Sequence, residues 1–152
     1  MKFSEQERNL LKAIQSDASV SLSDLATQVG MATSTIWRKL QEFEATGLIG
    51  SKVSLLDPAK ADVRLCTFAT VRLVDHSEDT IASFARMVKT HPEIMEAHAI
   101  SGSADYILKI RCQDVEAYEV FMTKNLLRSE LVKRVEFGFS LKQLKYTTAL
   151  PL

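Results

Sequence analysis

Ser101-Gly102-Ser103-Ala104-Asp105 is the stretch of this chain best equipped to hold a small polar molecule. A glycine between two serines turns the backbone and lets a ligand approach its amides. Those amides attract a carboxylate, and the Asp105 carboxylate attracts an ammonium group, so the turn offers opposite partial charges to one small zwitterion. Asp105 has a structural alternative, which is to satisfy the turn's own amides. Tyr106 opens the next strand and suits a core or interface position as well as ligand contact. A second group, Ser34, Thr35, Trp37, Arg38 and Lys39, gathers hydroxyls, an indole and two cations into a short span. Hydroxyls and cations suit phosphate oxygens. Arg38 carries the planar fork that reads a guanine edge, whereas Lys39 neutralises a phosphate without it. Trp37 suits packing against neighbouring helices as well as base or sugar contact.

Other chemistry is thin. Cys66 and Cys112 lie in apolar, strand-like runs and read as buried thiols, and His76, His91 and His98 share no metal spacing. No glycine-rich phosphate loop, serine-centred nucleophile elbow or recognisable Cys–His pair occurs. No catalytic residue, metal site or cofactor is assigned, and the chain reads as a non-enzyme.

The second group sits on one of two short helices that meet at a tight turn. Ser21 caps the first with Asp24 three residues on, Leu22, Leu25, Ala26 and Val29 line its inner face, and Gly30 supplies the left-handed stop. Thr33 or Ser34 caps the second, whose inner stripe is Ile36, Leu40 and Phe43. Thr35, Arg38, Lys39 and Glu42 are left on its outer face, the face a helix–turn–helix lays in a DNA major groove. An earlier helix starts at Ser4, has Glu7 in a capping box and buries Leu10, Leu11 and Ile14, completing a three-helix unit that Gly47 closes.

Charge bears on that reading. Nineteen basic residues offset nineteen acidic ones. Through Gly50 the bases Lys2, Arg8, Lys12, Arg38 and Lys39 are outnumbered by Glu5, Glu7, Asp17, Asp24, Glu42 and Glu44. Phosphate contact must therefore concentrate on a few cations, amides and hydroxyls, or be shared among several copies. No apolar run approaches the ~20 residues that span a bilayer and no signal peptide leads the chain, which points to a cytoplasmic protein.

Residues 48–57 read as extended chain that Pro58 ends. From Leu65 the period changes to strand 65–74, a helix marked by Ile81, Phe84, Ala85 and Val88, strand 94–100, the Ser101 turn, and strand 105–112. A helix through Val115, Tyr118, Met122 and Leu126 follows, then a half-buried strand with Val135, Phe137 and Phe139 inward, and a last alternating run from Leu141 to Thr148. The order β-α-β-β-α-β is the ferredoxin-like split unit. Apolar residues on both strand faces point to a second chain covering the open side of the sheet.

Three passages resemble the Lrp/AsnC (leucine-responsive/asparagine-synthetase regulator, or feast/famine) family over nearly the whole length. They are Gly30 to Leu40 with Glu44 and Gly47-Leu48-Ile49, the hinge ending Leu55-Leu56-Asp57-Pro58, and Ser101 to Lys109, which is similar to the family's effector-domain turn. Thr33, Ser34 and Thr35 stand where the family often has a proline, Lys39 where arginine is usual, and Gln41 and Glu42 where bases are common. The resemblance implies a prokaryotic, nucleoid-associated transcription factor. It would bind double-stranded DNA through Ser34, Thr35, Trp37, Arg38 and Lys39 and a small amino acid through Ser101, Gly102, Asp105 and Tyr106. It would form a homodimer that assembles to a tetramer or octamer. The expected organisation is α+β: a helix-turn-helix domain over 1–50, a hinge strand and linker over 51–62, and a ferredoxin-like effector and oligomerisation domain over 63–152. The competing readings are a ligand-binding oligomer with weak or no DNA affinity, and a ferredoxin-like metabolic enzyme with a helical adaptor.

Overall fold

In the structure, a computed structural model, residues 3–152 are described; Lys2, counted above among the bases, lies outside them. The chain divides into two compact units, one reaching Ser54 and including Leu144–Leu152, the other Leu55–Gln143.

The first unit holds α1 (Glu5–Ser16), α2 (Leu22–Val29) and α3 (Thr33–Ala45). The capping box forms as the sequence requires, with Ser4 N–H donating to Glu7 Oε2 at 2.8 Å and Glu7 N–H to Ser4 Oγ at 3.2 Å. Ser21 Oγ accepts the Asp24 amide at 3.1 Å, and Gly30 stops α2 at φ 67°. Leu10, Leu11, Leu25, Ile36 and Phe43 are buried together, with Ile14, Ala26, Val29 and Leu40 packed around them. Leu22, expected inside, starts α2 and is exposed. The N-cap of α3 is also corrected. It is Ala32, whose methyl offers no acceptor; Gly30 and Met31 both donate to Ala26 O and finish the turn by Met31. The helix therefore begins at Thr33, with Ser34 and Thr35 inside its first turn and not spent on capping.

The second unit is an antiparallel sheet, order β2-β3-β1-β4, built from β1 (Leu65–Leu73), β2 (Ile94–Ala99), β3 (Tyr106–Cys112) and β4 (Val132–Phe139). Helices α4 (Glu78–Thr90) and α5 (Val115–Met122) follow β1 and β3, and a π-helical turn over Thr123–Leu127 extends α5. This is the β-α-β-β-α-β order read from the sequence. The core joins Ala69, Val71 and Leu73 of β1, Leu108, Ile110 and Cys112 of β3, Phe84 of α4, and Tyr118, Phe121, Met122 and Leu126.

Three expectations shift here. On α4, Ile81 and Ala85 are exposed while Thr80 and Phe84 are buried, so the inward stripe lies one residue before the apolar one. Val115, first in α5, is exposed too. Phe137 and Phe139 point inward as expected, with ring centroids 5.3 and 5.4 Å from Tyr118, yet stay largely exposed because β4 is an edge strand. No strand forms over 141–148. Ser140 N–H makes the last bond to β1, at Cys66 O (2.8 Å), and Leu144–Leu152 group with the helices. There the Gln15 side-chain amide stands in for a strand neighbour, accepting Leu150 N–H at 2.6 Å and donating to Leu150 O at 3.5 Å. Leu152 packs on the helical core. Leu144–Leu152, within the domain expected over 63–152, thus group with the first unit.

The sheet's other face carries Cys66, Phe68 and Thr70 of β1 beside Ile107, Lys109 and Arg111 of β3. Phe68 is 46% exposed, and Lys109–Glu96 and Arg134–Glu136 ion pairs, each 2.5 Å, flank this centre. Replacing Phe84, which is 1% exposed, with alanine is expected to cost ~3–5 kcal/mol in equilibrium denaturation. A loss below about 1 kcal/mol would place the core elsewhere.

Candidate DNA-binding helix and effector turn

The face that α3 turns to solvent is made of Ser34, Trp37, Arg38 and Gln41, spaced three and four apart. Trp37, which suits packing as well as base or sugar contact, is 57% exposed. Thr35 and Lys39 are half-buried. The outward face is therefore centred about one residue, or ~100° of helix rotation, from the expected set of Thr35, Arg38, Lys39 and Glu42. Arg38 makes no ion pair among the described residues.

Lys39 is not free on that surface, contrary to expectation. Its Nζ lies 2.7 Å from Glu7 Oε1 of α1 and 3.0 Å from Glu42 Oε2. The Lys39 ammonium first, then the Ser4 amide, hold the Glu7 carboxyl far below its ordinary 4.5, at about 2. The two carboxylates, Glu7 foremost, raise the Lys39 ammonium in turn. Sequence reasoning found Glu7 as a cap and missed this second role, because the pairing spans separate helices.

The turn expected to hold an effector belongs to the sheet unit. Ser101–Ser103 bends between β2 and β3, with Gly102 at φ 124° and open space where a Cβ would stand. That φ favours glycine whether or not a ligand approaches. The amides of Gly102 and Ser103 take no intramolecular acceptor among the described residues. Asp105 fastens the turn to β1: its N–H donates to Val71 O at 2.9 Å, and its Oδ2 accepts the Leu73 amide at 2.8 Å. Its Oδ1 lies 2.9 Å from His76 Nε2, and the Arg72 guanidinium donates to Ser103 O. His76 first, then the Leu73 amide, lower the Asp105 carboxyl below its ordinary range. Of the two roles open to Asp105, the structure displays the bracing one. Tyr106 is half-buried, its ring 4.8 Å from that of Phe84, which is the core position also foreseen for it. Arg72 and His76 were not foreseen, and nothing in their local sequence marks them.

A further hollow of about 300 Å³ is lined by Asp62, Arg64, Leu65, Gln113, Asp114 and Val115, and none of the sequence-derived site residues reaches it. Among the described residues no group of His, Cys, Asp and Glu could hold a metal ion, and no helix is long and apolar enough to cross a membrane.

A three-helix unit presenting an unpartnered helix face, joined to a ferredoxin-like sheet with a polar turn, defines a DNA-binding regulator with a ligand-binding domain. Residues 66–150 match the Lrp/AsnC ligand binding domain, and residues 3–49 match the winged helix-turn-helix DNA-binding family. The chain is 31% identical to the glutamate uptake regulatory protein of Zymomonas mobilis, over 99% of this chain and 92% of that protein. It is equally 31% identical to the DNA-binding transcriptional activator DecR of Escherichia coli, over 96% of each. Its fold superposes on an AsnC family regulator from Agrobacterium tumefaciens with TM-score 0.93 and 34% identity, covering 98% of this chain and 97% of that one. A Neisseria meningitidis transcriptional regulator solved as its complex with L-methionine gives TM-score 0.94 at 27% identity, covering 99% and 97%. The chain belongs to the Lrp/AsnC family. It is a transcriptional regulator and not an enzyme.

Glu7 makes part of this site's stability depend on pH. Its carboxyl is lowered in the folded state, so the stabilisation is full above its unfolded value near 4.5 and is lost as pH falls toward about 2. Melting temperature measured from pH 5 to pH 2 is expected to fall less steeply in Glu7→Gln than in the unaltered protein. Parallel curves would show that the pairing contributes nothing.

Proposed function

We propose that this chain is a cytoplasmic, sequence-specific regulator that binds double-stranded DNA through α3 as a homodimer, assembles further to a tetramer or octamer, and responds to a small amino acid. The observation that carries the DNA-binding role is the outward face of α3, where Ser34, Trp37 and Arg38 stand exposed on a short helix whose opposite side is buried. Thr35 lies beside them in the first turn. Hydroxyls at a helix N-terminus donate to phosphate, Arg38 suits a guanine edge or phosphate, and Trp37 offers a flat surface to sugar or base.

The open sheet face supports the dimer. Phe68, Cys66 and Ile107 make an apolar centre and the flanking ion pairs a polar rim, the composition of a protein interface. Two copies related by a two-fold axis carry two recognition helices. The operator is then an imperfect palindrome with half-sites about one helical turn, roughly 34 Å, apart or a multiple of that.

The effector reading rests on the Ser101–Tyr106 turn. The Gly102 and Ser103 amides suit a carboxylate, and Asp105, though braced, retains lone pairs for an ammonium group. The methionine complex of the Neisseria relative supports an amino acid as the ligand class. A ligand held here shifts assembly and DNA binding in proportion to its preference for one arrangement.

The test is a thermal-shift screen of the protein amino acids, followed by footprinting of the region upstream of the chain's own gene with and without the hit. A ligand at ~100 times its dissociation constant is expected to stabilise by roughly 2.7 kcal/mol. No salt-dependent DNA binding would leave a ligand-binding oligomer, and a footprint without dyad symmetry would remove the dimer model. Asp105→Ala is expected to destabilise the sheet unit by about 1–3 kcal/mol, since it strips charge-assisted bonds from the Leu73 amide and His76. It is also expected to abolish the amino acid response while basal DNA binding persists. A variant that responds at unaltered ligand concentrations would move the sensor elsewhere.

A further inference from the structure

We propose that Lys39 is a positioning residue and not a DNA contact: shared between Glu7 of α1 and Glu42 of α3, it fixes the rotation of α3 so that Ser34, Trp37 and Arg38 face outward. The inference rests on α3 being the DNA-binding helix, and it alters which of its cations meets phosphate.

The geometry makes Lys39 a tie between helices. Its ammonium lies 2.7 Å from Glu7 Oε1 and 3.0 Å from Glu42 Oε2, so two of its three donors are engaged within the chain. The side chains of Lys39 and Glu7 are only 21% and 18% exposed, which removes much of the screening that weakens open surface pairs. Glu7 cannot swing away to follow the lysine. Its other oxygen, Oε2, accepts the Ser4 amide at 2.8 Å, so moving it undoes the start of α1.

Charge points the same way. Lys39, Glu7 and Glu42 together carry net negative charge, so a phosphate drawn to the lysine meets two carboxylates beside it. Reaching past them would strip Glu7 of its main partner. Arg38 carries no such encumbrance and lies on the exposed face. One lysine, placed one residue beyond the outward stripe, thus converts the start of α1 into a stop against rotation of α3.

The experiment compares Lys39→Met, Lys39→Arg, Glu7→Gln and Arg38→Met in the full chain, by melting temperature and by the salt dependence of binding to a random-sequence DNA duplex. That probe reads the phosphate contribution without needing the operator. Arg38→Met is expected to lower the log–log salt slope by about 0.9 for each engaged protomer at unchanged melting temperature. Lys39→Met is expected to lower the melting temperature and to weaken binding about equally at every salt concentration, with the slope unchanged, and Lys39→Arg to restore both. Glu7→Gln is expected to lower the melting temperature and steepen the slope, because the released lysine becomes available to phosphate. A purely structural pair would not move that slope. If Lys39→Met flattens the slope as far as Arg38→Met does, at unchanged melting temperature, the proposal is overturned. If the unaltered protein shows no salt-dependent DNA binding, the DNA-binding reading itself fails. The tie is then decided by the double variant: losses of Glu7→Gln and Lys39→Met that overlap support it, and losses that simply add overturn it.

Discussion

Strand β1 is paired on both edges, and that single constraint organises the sheet unit. A strand hydrogen-bonded on both sides cannot slip without breaking two ladders, and its side chains alternate strictly between faces. Thr67, Ala69, Val71 and Leu73 go inward and are buried, leaving Cys66, Phe68, Thr70 and Arg72 for the open face. A slip of one residue would drive Arg72 into the core and expose Leu73. The same register sets Phe68 beside Lys109 and Gly138, and Thr70 beside Ile107 and Glu136, so the open face's mixed character follows from where β1 sits.

In the helical unit, electrostatics does comparable work with fewer groups. A phosphate-binding module ordinarily carries a surplus of bases, yet through Gly50 carboxylates outnumber them and Lys39 is absorbed by two. The helix face is consequently sparse: one guanidinium, one hydroxyl, one carboxamide and an indole. Under the proposed assembly, sparse contact per copy is offset because linked sites raise avidity without new contacts.

Much of this was legible in the chain because local chemistry forces it. Ser4 and Glu7 are three residues apart and satisfy each other's backbone; Gly30 adopts the left-handed conformation that a β-carbon disfavours; β1, β3 and β4 alternate. What escaped the sequence is long-range or depends on competition. The Asp105–Leu73 and Asp105–His76 bonds join positions about thirty residues apart, and Lys39 meets Glu7 across as wide a gap. The apolar stripe of α4 misled because Ile81 and Phe84 are both apolar, and only packing decides which faces the sheet. The alternation of 141–148 misled because alternation is necessary for a half-buried strand but not sufficient: a strand also needs a partner edge, and Gln15 offers the tail another hydrogen-bonding place.

The turn and the sheet meet where β1 is least regular. The β1–β4 register shifts between Arg72 and Leu73, with Arg72 opposite Arg134 and Leu73 opposite Val132. Those two residues are the ones the turn grips, Arg72 through Ser103 O and Leu73 through the Asp105 carboxylate. The Leu73 amide faces the opposite edge of β1, beyond the start of β3 at Tyr106, and there the Asp105 carboxylate supplies the acceptor that a strand neighbour would otherwise give. The end of β1 therefore depends on the conformation of the Ser101–Asp105 segment. A molecule that draws Asp105 toward itself withdraws an acceptor from Leu73 and a partner from His76 at once. The loss falls on the end of β1, whose Leu73 amide and neighbouring His76 give up those bonds together.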